Sequence, residues 1–180
     1  MFKKIMVPLD GSELAEAALP VVEGLATCLG SEVILVQVVP SPRGRSAAKF
    51  RPFSADLPVA VPRAREDVEM ARHPIYKDQE MISLKAKAKA SLARAEKRLR
   101  DQGIQVKVDV LFGRPAEEII AYAEQAAVDV ILLSTHGESG LGPWNMGATA
   151  ERVLRGANVP VLLVRPTQAR VRRGDWPDLL

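Results

Sequence analysis

The chain has 180 residues, 47 % of them hydrophobic and 26 % charged, which suits one globular domain able to bury a core without disulfides or metals. A net charge of +3 is too small to argue for nucleic acid, and 4 % aromatics leaves the core to aliphatic side chains. The single cysteine, Cys28, excludes an internal disulfide and reads as a small apolar residue on a helix face.

Lys4 to Leu9 is a short apolar run closed by Asp10-Gly11-Ser12, which predicts a buried first strand. Ser12 is placed to cap the helix that follows, with Glu13 at its positive end. Leu14, Ala17, Ala18, Val21, Val22 and Leu25 recur at helical spacing; Pro20 predicts a kink and Gly30 an end. Glu32 to Val39 is a second strand whose only internal polar residue is Gln37. The stretch from about 41 to 77 is rich in proline, with eight Lys or Arg against four Asp or Glu and no clear period. It reads as a mobile basic insertion. Asp78 to Gln102 predicts a long helix with Met81, Leu84, Ala88, Leu92, Ala95 and Leu99 on one stripe.

Ile104 to Phe112 alternates and predicts the third strand. Gly113-Arg114-Pro115 then opens a helix, with proline in its first turn. Val130 to Leu133 is the fourth strand, Thr149 to Arg155 a helix, and Pro160 to Arg165 the fifth strand. Residues 1–166 are therefore expected to form one domain, and 167–180 a tail. Strands and helices alternating in this way imply a parallel sheet covered on both faces. Such sheets bind ligands at the carboxyl ends of the strands where the strand order reverses. No apolar run approaches the roughly 20 residues of a membrane span, and Asp10 cuts short the apolar start of the chain. A cytoplasmic protein is expected, with neither membrane nor nucleic acid as partner.

Between strands four and five runs Ser134-Thr135-His136-Gly137 through Gly147-Ala148-Thr149. Glycine lets backbone N–H groups approach a ligand, and a helix start attracts anions. The P-loop pattern is absent, as is a GxGxxG after the first strand. The residues alone fit either a phosphate cradle or an ordinary loop-to-helix turn. His136 and His73, far apart and with one cysteine in the chain, do not make a metal site.

The chain resembles the universal stress proteins. The resemblance rests on Ile5-Met6-Val7-Pro8-Leu9-Asp10-Gly11-Ser12, Val33 to Val39, Gly113-Arg114-Pro115, Ser134-Thr135-His136-Gly137, Gly147 and Glu151-Arg152-Val153-Leu154. It implies an α/β fold, an open five-stranded parallel sheet of order 3-2-1-4-5 with helices on both faces, of the adenine nucleotide alpha hydrolase-like kind. It also implies a homodimer paired through the last strand, Val161 to Val164.

One branch of that family binds ATP through G-x-x-G, nine residues, then G-[ST]. On this chain the four positions are Ser134, Gly137, Gly147 and Ala148, so two match and two depart. Ala148 removes a hydroxyl, which costs about 0.5–1.5 kcal/mol or somewhat more toward a charged group. That weakens binding by about one or two powers of ten. Backbone N–H groups of 147 to 149 would remain, with Thr149 as a partial substitute. Glu138 places a carboxylate in the loop, unfavourable to a triphosphate.

By resemblance Pro8 and Leu9 would line the adenine wall, Val38 would meet the adenine edge through its backbone, and Leu133 would sit against the sugar. Asp10 would face the ribose or hold Mg²⁺; its structural alternative is a loop residue capping the first helix. Arg114 would reach the ligand or cap a surface. The expected function is a stress-response sensor or adaptor binding ATP, ADP or AMP, with Mg²⁺ through Asp10. The alternatives are a dimeric adaptor without nucleotide, meeting a protein partner through the 41–77 insertion, and a slow ATPase. No nucleophile–base pair is legible, so no catalytic residue is assigned.

Overall fold

The computed structural model describes residues 2–40, 74–135 and 146–166. His73, most of the 41–77 insertion, His136, Gly137, Glu138 and the 167–180 tail lie outside the described residues. Five strands form one sheet: β1 (Lys4–Pro8), β2 (Glu32–Val39), β3 (Val106–Phe112), β4 (Val130–Ser134) and β5 (Val161–Val164). All described pairings are parallel, and the order is β3-β2-β1-β4-β5. The expected α/β architecture, strand order and strand sites are those observed.

The helices are α1 (Glu13–Glu16), α2 (Leu19–Leu29), α3 (Pro74–Asp101), α4 (Pro115–Gln125) and α5 (Ala148–Gly156). Side chains alternate across each strand, so the apolar runs feed two cores. Ile5, Val7, Leu9, Val33, Leu35, Val130 and Leu132 pack on one face with Leu19, Val22, Leu92 and Leu99 of α2 and α3. Met6, Ile34, Val36, Ile131 and Leu133 pack on the other with Ile119 of α4 and Val153 of α5. The crossovers before β2 and β3 thus lie on one face, and those before β4 and β5 on the other. Strand order reverses between β1 and β4.

Three expectations change. The first helix is two helices, because the chain breaks at Ala17-Ala18 instead of bending at Pro20. A proline in a helix interior would leave a carbonyl one turn back without its donor, whereas in the first turn of α2 it costs nothing. The α3 helix starts at Pro74, so the last four residues assigned to the insertion belong to it. Its stripe is buried from Ala88 onward, while Met81 is exposed. Cys28, expected to pack as an apolar residue, is exposed.

Asp129 stands at the start of β4, at the end of the sheet away from the switch point. Its Oδ2 accepts the backbone N–H groups of Lys3 at 2.7 Å and Lys4 at 2.9 Å, tying β4 to β1. The Lys4 and then the Lys3 amide hold its carboxyl below the usual aspartate range. A depressed carboxyl contributes stability above its unfolded pKa, about 3.9, and loses it as pH falls through the lower folded value. Urea midpoints of wild type and Asp129→Asn should therefore differ at pH 7 and converge as pH falls below the usual aspartate range. A gap that persists at pH 2 would show that the contribution is not the charge.

Candidate functional site

The β1–β4 ladder runs only through Ile5↔Val130 and Met6↔Ile131. The β1–β2 ladder continues to Pro8↔Val36, and β4 pairs β5 up to Ser134↔Val164. Pairing between β1 and β4 thus stops while both strands go on, and a crevice opens beyond it. It is a cavity of about 660 Å³, within the size range of small-molecule sites.

Pro8, Leu9, Asp10, Val38, Leu133, Ser134, Gly147, Ala148 and Thr149 all line this cavity. They are nine of the ten expected site residues; Gly137 lies outside the described residues. Three chain segments bring them together. The end of β1 gives Pro8 to Asp10, the end of β2 gives Val38, and β4 with the start of α5 gives the rest. Thr135, just past β4, ties it to both neighbours: its N–H donates to Val164 O of β5 at 2.9 Å, and its O accepts the N–H of Gly147, the cap of α5, at 2.8 Å.

That last bond corrects one expectation. The Gly147 N–H is spent on Thr135, so it is not among the amides offered to a ligand. The first intrahelical bond of α5 runs from Glu151 N–H to Gly147 O at 3.0 Å. The amides of Ala148, Thr149 and Ala150 come before it, in the first turn, where a helix leaves its N–H groups without intrahelical partners. All three residues line the cavity, and the N-cap, Gly147, brings no capping side chain. Such a terminus suits an anion. The Thr149 side chain adds a hydroxyl at the second helical position.

Asp10 is exposed, and its Oδ1 accepts Ser12 N–H at 2.9 Å and Ser12 O–H at 2.6 Å. The helix cap itself is Ser12, whose Oγ accepts Ala15 N–H at 3.1 Å. Asp10 shapes the turn and Ser12 caps, so the capping alternative for Asp10 does not hold. The turn passes through Gly11 at φ +85°, a region that side-chain-bearing residues avoid. Asp10 is also the only ionisable side chain among the described lining residues. Arg114 does not line the cavity; it is exposed and lies 3.8 Å from Glu117 Oε1. Among the described residues no group of three His, Cys, Asp or Glu could hold a metal ion.

Residues that sequence reasoning missed include Gln37, Thr135, Pro115 and Ile119. Gln37 carried a signal, being the one polar residue inside an apolar strand. Pro115 and Ile119 carried none, since α4 reaches the cleft only through the fold. The lining is an apolar wall from Pro8, Leu9, Val36, Val38, Ile119 and Leu133 facing a polar end at Ser134, Thr135 and the start of α5. It can take a ligand with a flat apolar part and an anionic part.

The sequence pattern of the universal stress protein family matches residues 1–165. Universal stress protein MJ0577 of Methanocaldococcus jannaschii is 35 % identical over 165 residues, covering 92 % of this chain and 96 % of its own. The solved structure of hypothetical protein MJ0577 superposes with TM-score 0.71 at 30 % identity, covering 94 % of this chain and 99 % of that one. The same fold recurs in a universal stress protein solved with cAMP, at TM-score 0.59 and 16 % identity over 92 % of this chain and 98 % of that one. It recurs again in one from Archaeoglobus fulgidus solved with dAMP, at 0.57 and 21 % over 90 % and 97 %. No helix among the described residues is long and apolar enough to cross a membrane. With a family match along nearly its whole length and a relative at 35 % identity, the chain belongs to the universal stress protein family.

Proposed function

We propose that the chain binds an adenine nucleotide, ATP, ADP or AMP, in the cleft between the ends of β1 and β4, and acts as a stress-response sensor or adaptor. The observation that carries this reading is the meeting of Pro8–Asp10, Val38, Leu133–Ser134 and Gly147–Thr149 around one cavity. The structures of two proteins of this fold with cAMP and dAMP support the ligand class. Pro8, Leu9 and Val38 offer an apolar wall for the base, and Leu133 packs against the sugar. The amides of Ala148 to Ala150 and the Thr149 hydroxyl meet phosphate oxygens. Asp10 faces the ribose or a Mg²⁺ ion. With one carboxylate among the described lining residues, that ion would take most of its oxygen ligands from phosphate and water, as Mg²⁺ commonly does.

Binding is favoured over hydrolysis by the degenerate motif, with Ser134 and Ala148 at two of its four positions. The reading extends to assembly. β5 is an edge strand with Leu162 39 % exposed, and we propose that it pairs with β5 of a second copy.

One preparation tests both parts. Gel filtration should give a dimer, and a monomer at micromolar concentration overturns the pairing. Denaturing the same protein and running the supernatant on an anion-exchange column should release an adenine nucleotide. An empty supernatant, with no heat on titrating millimolar Mg-ATP or AMP, overturns nucleotide binding.

A further inference from the structure

We propose that Gln37 and Ser91 are a positioning pair, joining α3 to the Asp10–Ser12 turn and setting how tightly the cleft holds its ligand. This rests on the reading that the ligand meets Asp10. The anomaly that motivates it is the glutamine. On the α3-facing side of β2, Val33 and Leu35 are fully buried, and the next position on that side is Gln37. An aliphatic residue there would extend the core; an amide needs a polar reason.

The structure supplies one. Gln37 Oε1 accepts the Ser91 O–H at 2.6 Å, and Gln37 Nε2 points to the Asp10 carbonyl at 3.4 Å. The second contact is long, so the pair acts as much by packing as by hydrogen bonding. A Cβ built on Gly11 would lie 3.7 Å from Gln37 Nε2 and 3.8 Å from Ser91 Cβ and Oγ, so both side chains face the turn at Gly11 across the width of about one carbon. This contact falls where the strand ladder has run out. Leu9 N–H still donates to Val36 O at 2.8 Å, but from Asp10 the chain leaves β2, and the Gln37 side chain spans the gap.

The other end of the pair is anchored. Ser91 is flanked by Ala88, Leu92 and Ala95, all buried against the sheet. The Arg98 guanidinium grips Glu23 of α2 through two bonds of 2.5 and 2.9 Å. The Ser91 hydroxyl also lies 2.8 Å from Ala88 O. It has one proton for two acceptors, and the shorter contact is to Gln37. From Gln37 the contacts continue through Asp10 to Ser12 and on to Ala15 N–H. A displacement of α3 is thereby felt at the carboxylate proposed to meet the ligand.

The test uses the full chain with Gln37→Met, which keeps length and loses both polar contacts, Ser91→Ala, and Ser91→Thr, which keeps the hydroxyl. Without ligand, amide exchange at Gly11 and Ser12 should speed up about tenfold in Gln37→Met and Ser91→Ala, stay near wild type in Ser91→Thr, and be unchanged in β2 and β4. Calorimetry with Mg-ATP and with AMP should show affinity about three- to tenfold weaker in the first two variants and restored in Ser91→Thr. Unchanged exchange in both Gln37→Met and Ser91→Ala overturns the positioning role, whatever the nucleotide does. Faster exchange with unchanged affinity overturns the claim that the pair sets binding. A wild-type chain that binds neither nucleotide overturns the nucleotide reading, and the exchange data then decide the positioning role by themselves.

Discussion

Replacing Ala148 with serine should tighten the binding of Mg-ATP about tenfold. Ala148 is the first residue of α5, directly after the Gly147 cap, and its side chain is exposed into the cleft. At an exposed position an added hydroxyl carries little packing cost. Hydrogen bonds to charged acceptors contribute about 1.5–3 kcal/mol when well formed, and neutral ones about 0.5–1.5. Part of that gain is offset by the water the phosphate gives up. What remains corresponds to roughly one power of ten in Kd. Thr149→Val should act in the opposite sense and by less, because the Ala148, Thr149 and Ala150 amides stay in place. Titration calorimetry on the three proteins reads both changes. If the serine leaves Kd unaltered, the anionic part of the ligand does not sit at the start of α5.

Most of the fold was legible because parallel strands buried on both faces appear as continuous aliphatic runs. Met6-Val7, Val33 to Val36 and Val130 to Leu133 could hardly be anything else between glycine and proline breaks. The first helix was misjudged because Pro20 is compatible with either a kink or a new start. Only the tertiary position of Leu19 and Val22, both fully buried, selects the second. For the cleft, residues next to one another in the chain were legible and residues joined by the fold were not. Pro8 to Asp10 and Gly147 to Thr149 follow strand-end and helix-start rules. Ile119 arrives from α4 with ordinary helical spacing, and nothing local marks it. The Thr135–Gly147 bond was equally hidden, since backbone pairing across a loop leaves no trace in side-chain types. Gln37 lies between these cases: its oddity was visible in the sequence, but the partner that explains it, Ser91, is 54 positions away.

Leu35→Ala should lower the unfolding free energy by about 2–5 kcal/mol. Leu35 is fully buried in β2, between β1 and β3, in the core shared with α2 and α3. Its removal takes away apolar contacts and leaves a cavity that the flanking strands cannot close. Domains of ordinary size are stable by about 5–15 kcal/mol, so the variant stays folded with a much reduced margin. At roughly 2–4 °C per kcal/mol for a chain of this length, its melting temperature should fall by about 5–20 °C. The same variant then reports on the cleft. Leu35 does not line the cavity, so its ligand affinity should be kept. An adenine nucleotide at a hundred times its Kd should return about 2.7 kcal/mol to both proteins. Equal recovery in wild type and Leu35→Ala means that the ligand binds the native cleft and leaves the core defect unrepaired. Recovery in neither, at millimolar nucleotide, would mean that the cleft takes some other ligand.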